Sequence, residues 1–147
     1  MPNERRLVIL VVEDEDPHYE LIKRSIDTIE KKTGGRYEVY RAADGDEALK
    51  FLFRKGEFAD APRPNLILLD LRLPKVSGMD ILDRIKKDDR LRKIPVVVLT
   101  VSTNEEEMVR AYDSGAAGFL NKPASPDDFE RLLTTVWEYW RIAKLPE

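Results

Sequence analysis

The chain contains no cysteine, which excludes disulfides and thiolate metal sites and is compatible with a reducing compartment. It has one histidine, His18, too few for a His-rich metal site or a Ser-His-Asp triad with a choice of bases. It has no surplus of positive charge: 25 Lys and Arg against 28 Asp and Glu leave a formal charge of −3. The basic face that nucleic-acid binding by bulk electrostatics requires is therefore missing. No apolar run approaches the ~20 residues of a membrane span. Arg5-Arg6 followed by Leu7–Val12 superficially resembles the start of a secretory signal, but the run stops after six residues at Glu13-Asp14-Glu15-Asp16. A secretory core needs about 7–15 apolar residues and a small-residue cleavage site. Neither Gly-x-x-x-x-Gly-Lys-Ser/Thr nor Gly-x-Gly-x-x-Gly occurs, so Gly34-Gly35 is not a phosphate loop. What is present is 147 residues, 42% hydrophobic and 36% charged, the composition of one compact domain able to bury a core without staples. A cytoplasmic location is the expectation.

Short apolar runs alternate with longer amphipathic stretches. Leu7–Val12 is rich in β-branched residues and too short for a good helix, so it reads as a strand buried on both faces. Asp16-Pro17 supplies an N-cap and a first-turn proline. Leu21, Ile22, Ser25, Ile26 and Ile29 follow at helical spacing, and Lys31-Lys32 with Gly34-Gly35 end that helix. Tyr37–Ala42 is a weaker strand, and a helix begins after Asp44-Gly45. Leu66–Leu69 is the third strand, followed by Ser77-Gly78 and a helix bearing Ile81, Leu82 and Ile85. Val96–Leu99 is the fourth, ending at Thr100, and Thr103-x-x-Glu106 can form a capping box for the next helix. Gly118–Leu120 is a short fifth strand, and Ser125-Pro126 opens a last helix. Five strand–helix units predict an α/β fold, with a parallel sheet, helices on both faces and right-handed crossovers.

In such a doubly wound sheet, ligands bind outside the carboxyl ends of the strands. The residues that follow the runs are Glu13 and Asp14, Asp70, Thr100 and Lys122. Three neighbouring carboxylates repel one another unless a cation joins them. Their oxygens suit a hard ion such as Mg²⁺, with Mn²⁺ as a substitute. A lysine and a threonine hydroxyl suit phosphoryl oxygens, and a carboxylate such as Asp70 can serve as a covalent nucleophile. Together these groups describe phosphoryl-transfer chemistry.

The ordered set Glu13-Asp14, Asp70, Thr100 and Lys122-Pro123 resembles the receiver domain of two-component response regulators. Pro74, Gly78 and the helix start Asp44-Gly45-x-Glu47-Ala48-Leu49 also match. The resemblance covers essentially the whole chain, with a core from residue 7 to residue 143. It implies a flavodoxin-like three-layer (βα)5 sandwich of strand order 2-1-3-4-5 and leaves no room for an output domain. The connection from Lys55 to Asn65, with Trp137-Glu-Tyr-Trp140, further resembles stand-alone receivers associated with bacterial phytochromes.

The resemblance also implies roles. Asp70 is the phosphoacceptor, served by a sensor histidine kinase, with a phytochrome as the candidate. Asp14 and Asp70 bind Mg²⁺, with Glu13 adjacent or acting through water and the backbone carbonyl of Arg72 as a further ligand. Lys122 pairs with Asp70 at rest and with the phosphoryl group afterwards, Thr100 hydrogen-bonds that group, and Phe119 is the aromatic switch partner of Thr100. Lys122-Pro123 matches the family's cis peptide. Arg72 is a bulky departure beside the site and a candidate ion pair for Glu13. His18 is expected to be exposed, and Glu105–Glu107 to serve the macrodipole of their helix.

On the last helix, Phe129, Leu133, Val136 and Trp140 share one face, and Trp137 and Tyr139 widen the apolar stripe to roughly 160°. Either a neighbouring helix covers that rim, or Tyr112, Trp137, Tyr139 and Trp140 mark a partner surface on the fourth helix, fifth strand and fifth helix, as in a homodimer. Two other functions compete. An aspartate-nucleophile phosphatase would need a second aspartate two residues after Asp70, where Arg72 stands. A degenerate receiver that only binds protein would not need the complete set of site residues. No external substrate turnover, no nucleic acid and no membrane are expected.

Overall fold

The structure, a computed structural model, describes residues 6–146; Arg5, considered above with Arg6, lies outside them. Five strands form one parallel sheet: β1 (Arg6–Val12), β2 (Arg36–Ala42), β3 (Leu66–Leu69), β4 (Val96–Thr100) and β5 (Gly118–Asn121). Their order is β2-β1-β3-β4-β5, as the family resemblance implied. Each strand is followed by a helix: α1 (Asp16–Thr33), α2 (Gly45–Leu52), α3 (Gly78–Lys87), α4 (Glu105–Asp113) and α5 (Pro126–Ile142). Among the described residues, no helix is long and apolar enough to cross a membrane.

The unbroken apolar runs are explained by burial on both faces of the sheet. Because side chains alternate along a strand, Leu10, Val12, Ile67, Leu69, Val96 and Val98 face α2, α3 and α4. Ile9, Val11, Leu66, Leu68, Val97 and Leu99 face α1 and α5. Trp137 belongs to this second layer. It is 1% exposed, and its indole Nε1–H donates to Ser25 Oγ at 2.7 Å. The Ser25 hydroxyl in turn donates to the Ile22 carbonyl at 2.7 Å. Trp137 is therefore a core residue at the α1–α5 contact and not part of a partner surface. Trp140 is half-buried on the same layer, whereas Tyr139 is 58% exposed.

Helix ends follow local chemistry, with two differences from expectation. Gly34 ends α1 in the left-handed conformation at φ 74°, where a Cβ would be strained. The residue flanking α1 at its start is Glu15, with no side-chain cap, and Asp16 lies inside the first turn. Asp16 instead pairs with Arg41 at 2.7 Å. Helix α4 is capped by Asn104, which accepts the Glu107 N–H at 3.1 Å, one residue later than the Thr103 box. Asparagine is the better cap and lies closer to the helix.

Two glycines draw helix starts against the loop after β3. A Cβ on Gly78 would lie 2.4 Å from the Asp70 carbonyl oxygen and 2.5 Å from Leu71 Cα. One on Gly45 would lie 2.2 Å from the Val76 carbonyl oxygen. Both neighbours are backbone and cannot swing aside. Gly78→Ala is expected to lower the urea midpoint by the equivalent of about 1–3 kcal/mol, the usual cost of overpacking. An unchanged midpoint would show that the loop yields freely.

Candidate functional site

Sheet register brings the predicted residues together. Val12 pairs with Leu69, and Thr100 pairs with Asn121. The residues immediately beyond the strands thus share one edge, with Asp70 N–H donating to the Val12 carbonyl at 3.1 Å and Lys122 N–H to the Thr100 carbonyl at 2.9 Å. Glu13, Asp14 and Asp70 each place a carboxylate oxygen within 4.8 Å of the others.

Lys122 organises this edge. Its side chain is 1% exposed, and its Nζ lies 2.7 Å from Glu13 Oε1 and 2.9 Å from Asp70 Oδ2. Its third neighbour is His18 Nδ1 at 2.9 Å. Burial opposes the lysine's charge, but the hydrogen bonds to Glu13 and Asp70 and their charges outweigh it and raise the ammonium's pKa. Burial pushes the Glu13 carboxyl up to about 7, while Lys122 pulls the other way. The other Glu13 oxygen, Oε2, accepts the Glu15 N–H at 3.1 Å, and Asp70 Oδ1 accepts the Arg72 N–H at 3.0 Å. Three clustered carboxylates, two of them on the Lys122 ammonium, leave a formal excess of two negative charges over that one cation when all are ionised. That is the charge of one divalent cation, and hard oxygen donors are the ligands such an ion takes. The donor set therefore fits a divalent metal.

Thr100 is fully buried at the same edge, where its Oγ1 accepts the Ser102 N–H at 3.3 Å. Phe119 is half-buried, and its N–H donates to the Tyr112 hydroxyl at 3.1 Å. Tyr112, 48% exposed, is thereby tied to the edge strand. The Lys122–Pro123 peptide is trans, since no cis bond occurs among the described residues; this corrects the expected cis form and follows the ordinary trans preference of X-Pro bonds.

Three polar residues do more than the sequence suggested. His18 is partly covered rather than exposed, with its ring against Phe129 at a centroid distance of 5.5 Å. Burial first, and then the charge of Lys122, lower its pKa. The Arg72 guanidinium pairs with Glu107 at 3.2 Å and not with Glu13, which Lys122 already occupies. Glu107 also accepts the Ser102 hydroxyl, and the Asn121 side-chain amide donates to the Ser102 carbonyl. Glu107 therefore joins the loops after β3 and β4, beyond any effect on the macrodipole. The readable signal for His18 was its place in the first turn after β1, which the topology sets beside the strand ends.

Comparison with known proteins agrees with this geometry. Residues 9–134 match the model of the response regulator receiver domain. The probable methanogenesis regulatory protein FilR2 of Methanothrix harundinacea is 44% identical over 133 residues, 90% of this chain and 83% of that protein. Response regulator Rcp1 of Synechocystis is 37% identical over 90% of this chain and 88% of its own length. The Mn²⁺-bound crystal structure of Rcp1 superposes with a TM-score of 0.91 at 36% identity, covering 96% of this chain and 99% of Rcp1. The phosphorylated cyanobacterial phytochrome response regulator RcpA gives 0.92 at 36% identity, covering 97% and 100%. With the family model spanning most of its length and both relatives matched over more than four fifths of theirs, this chain belongs to the response regulator receiver domain family.

Proposed function

We propose that the protein accepts a phosphoryl group on Asp70 from the phosphohistidine of a sensor histidine kinase and signals through protein contacts. The observation that carries this reading is the buried Lys122 ammonium bridging Asp70 and Glu13, in a cluster completed by Asp14. A phytochrome is the proposed kinase, supported by the likeness to Rcp1 and to the phytochrome response regulator RcpA, and the cytoplasm is the proposed location.

An Asp70 carboxylate oxygen attacks phosphorus as the bond to the donor's ring nitrogen breaks. The electron pair returns to the imidazole, and an acyl phosphate forms on Asp70. Lys122 holds the carboxylate before transfer and pairs with the phosphoryl oxygens after it. Thr100 supplies a hydroxyl to the same group, and the half-buried Phe119 shifts with Thr100. Asp14 and Asp70 would hold Mg²⁺, or Mn²⁺ in its place, with Glu13 acting through water; when bound, the ion neutralises charge at the phosphoryl oxygens. The Arg72 carbonyl as a further ligand rests on the family resemblance. The domain turns over no external substrate.

Exposed apolar residues on α4 (Val109, Tyr112) and α5 (Tyr139) favour a second copy as partner through α4, β5 and α5. A monomer in sedimentation at high concentration, with and without a phosphoryl mimic, would exclude that dimer.

Incubation with Mg²⁺ and a small phosphodonor is expected to add one phosphate, read by intact mass, and chelation or Asp70→Asn to abolish it. Labelling that survives Asp70→Asn would place the acceptor elsewhere. Absence of labelling in the native chain would leave a binding module. Mg²⁺ should also stabilise the fold by about 2.7 kcal/mol at a hundredfold excess over its Kd.

A further inference from the structure

We propose that His18 is a positioning residue for Lys122: its neutral imidazole accepts the third ammonium hydrogen at Nδ1 and fixes the rotation of that ammonium. The proposal rests on the acceptor role of Asp70 given above.

A lysine ammonium has three donors and no acceptor. Its partners here are Glu13 Oε1 at 2.7 Å, Asp70 Oδ2 at 2.9 Å and His18 Nδ1 at 2.9 Å. At that distance the ring nitrogen facing the ammonium must be bare, so the proton sits on Nε2. Each of the three hydrogens then has its own acceptor. With the third one held by His18, the other two are directed at Glu13 and Asp70, and the ammonium cannot turn without breaking all three bonds.

The ring is itself held in place. His18 follows Pro17 in the first turn of α1, and its ring lies against Phe129, a buried residue of α5, at an interplanar angle of 59°. A carboxylate at this position would also accept from Lys122, but it would add a fourth negative charge to the cluster. A neutral imidazole orients the lysine while leaving the charge that a cation meets unchanged. The His18 side chain is 26% exposed, so water can replace it as a partner, and its loss slows the reaction without abolishing it.

Two substitutions separate the acceptor from the ring. His18→Phe keeps an aromatic ring against Phe129 and removes the acceptor. His18→Asn keeps an acceptor at comparable reach and removes the ring. With a small phosphodonor and Mg²⁺, His18→Phe is expected to slow Asp70 labelling roughly fivefold, as for net loss of one ordinary hydrogen bond, since water partly replaces the acceptor. Its half-saturating Mg²⁺ concentration should stay native. His18→Asn should recover at least half of the native rate. The opposite ranking, equal loss in both variants, or no loss in either would overturn the proposal. Because the chain has a single histidine, its imidazole nitrogen-15 signals need no assignment. An Nε2–H tautomer in the native protein is expected, and a protonated Nδ1 would also overturn the proposal. Failure of the underlying reading looks different: the native chain would take up no phosphate, or Asp70→Asn would still take it up.

Discussion

Lys122→Met is expected to cost about 3–5 kcal/mol of stability, because it leaves the charges of a buried pair uncompensated. The methionine preserves much of the side-chain length and removes all three donors. Glu13 and Asp70, 1% and 4% exposed, then face each other without the cation between them. Urea unfolding should show the loss, and Mg²⁺ should recover more stability in the variant than in the native chain, since the ion replaces the missing positive charge. The chemical effect should be larger. Removing one preorganised charge donor from a transition state commonly costs about 10²-fold in rate, so labelling of Asp70 should slow by about that factor at saturating Mg²⁺. A variant as stable and as quickly labelled as the native chain would make Lys122 a solvated surface lysine and dissolve the site as described.

The second large effect lies away from the chemistry. Trp137→Ala should destabilise the fold by about 3–5 kcal/mol, the range for removing a large buried aromatic. In a domain of this size the melting temperature should fall by on the order of 10 °C. Ser25→Ala should cost about 1–3 kcal/mol by leaving the indole N–H buried without a partner. Because Trp137 and Ser25 touch at 2.7 Å, the two losses should not add. A Trp137→Ala protein that melts normally but loses a binding partner would return Trp137 to the interface.

These two residues also show where the sequence was legible. Lys122 could be placed because a strand run ends just before it, and a parallel sheet carries every strand end to one edge. The same logic placed Glu13, Asp14, Asp70 and Thr100. Trp137 could not be resolved that way. Helical spacing reports how wide an apolar stripe is, not what covers it, and the cover is α1, more than a hundred residues earlier in the chain. His18 was hidden for a related reason. Its spacing in α1 is that of a solvated residue, and only its place at the start of α1, which the topology sets beside the strand ends, brings it to Lys122. Glu107 looked like one member of an acidic run; its pairing with Arg72 depends on a loop 35 residues away. The cap of α4 was misplaced by one residue because Thr103 and Asn104 are both competent caps.

The two glycine contacts have a mechanical consequence. On one side of Asp70, the loop from Asp70 to Ser77 is wedged between the backbones of two helix starts, and α3 sinks five of its residues into the core. On the other side, α4 buries only Ala111, and its first turn is tied to the edge by the side chains of Arg72, Ser102 and Glu107. The site thus has a stiff wall and a compliant one. On the proposed reading, a phosphoryl group added at Asp70 would be accommodated where resistance is least, through polar tethers that can re-pair and a helix with little apolar surface to expose. Directionality would in this sense be built into uneven packing, toward α4, the side able to give way.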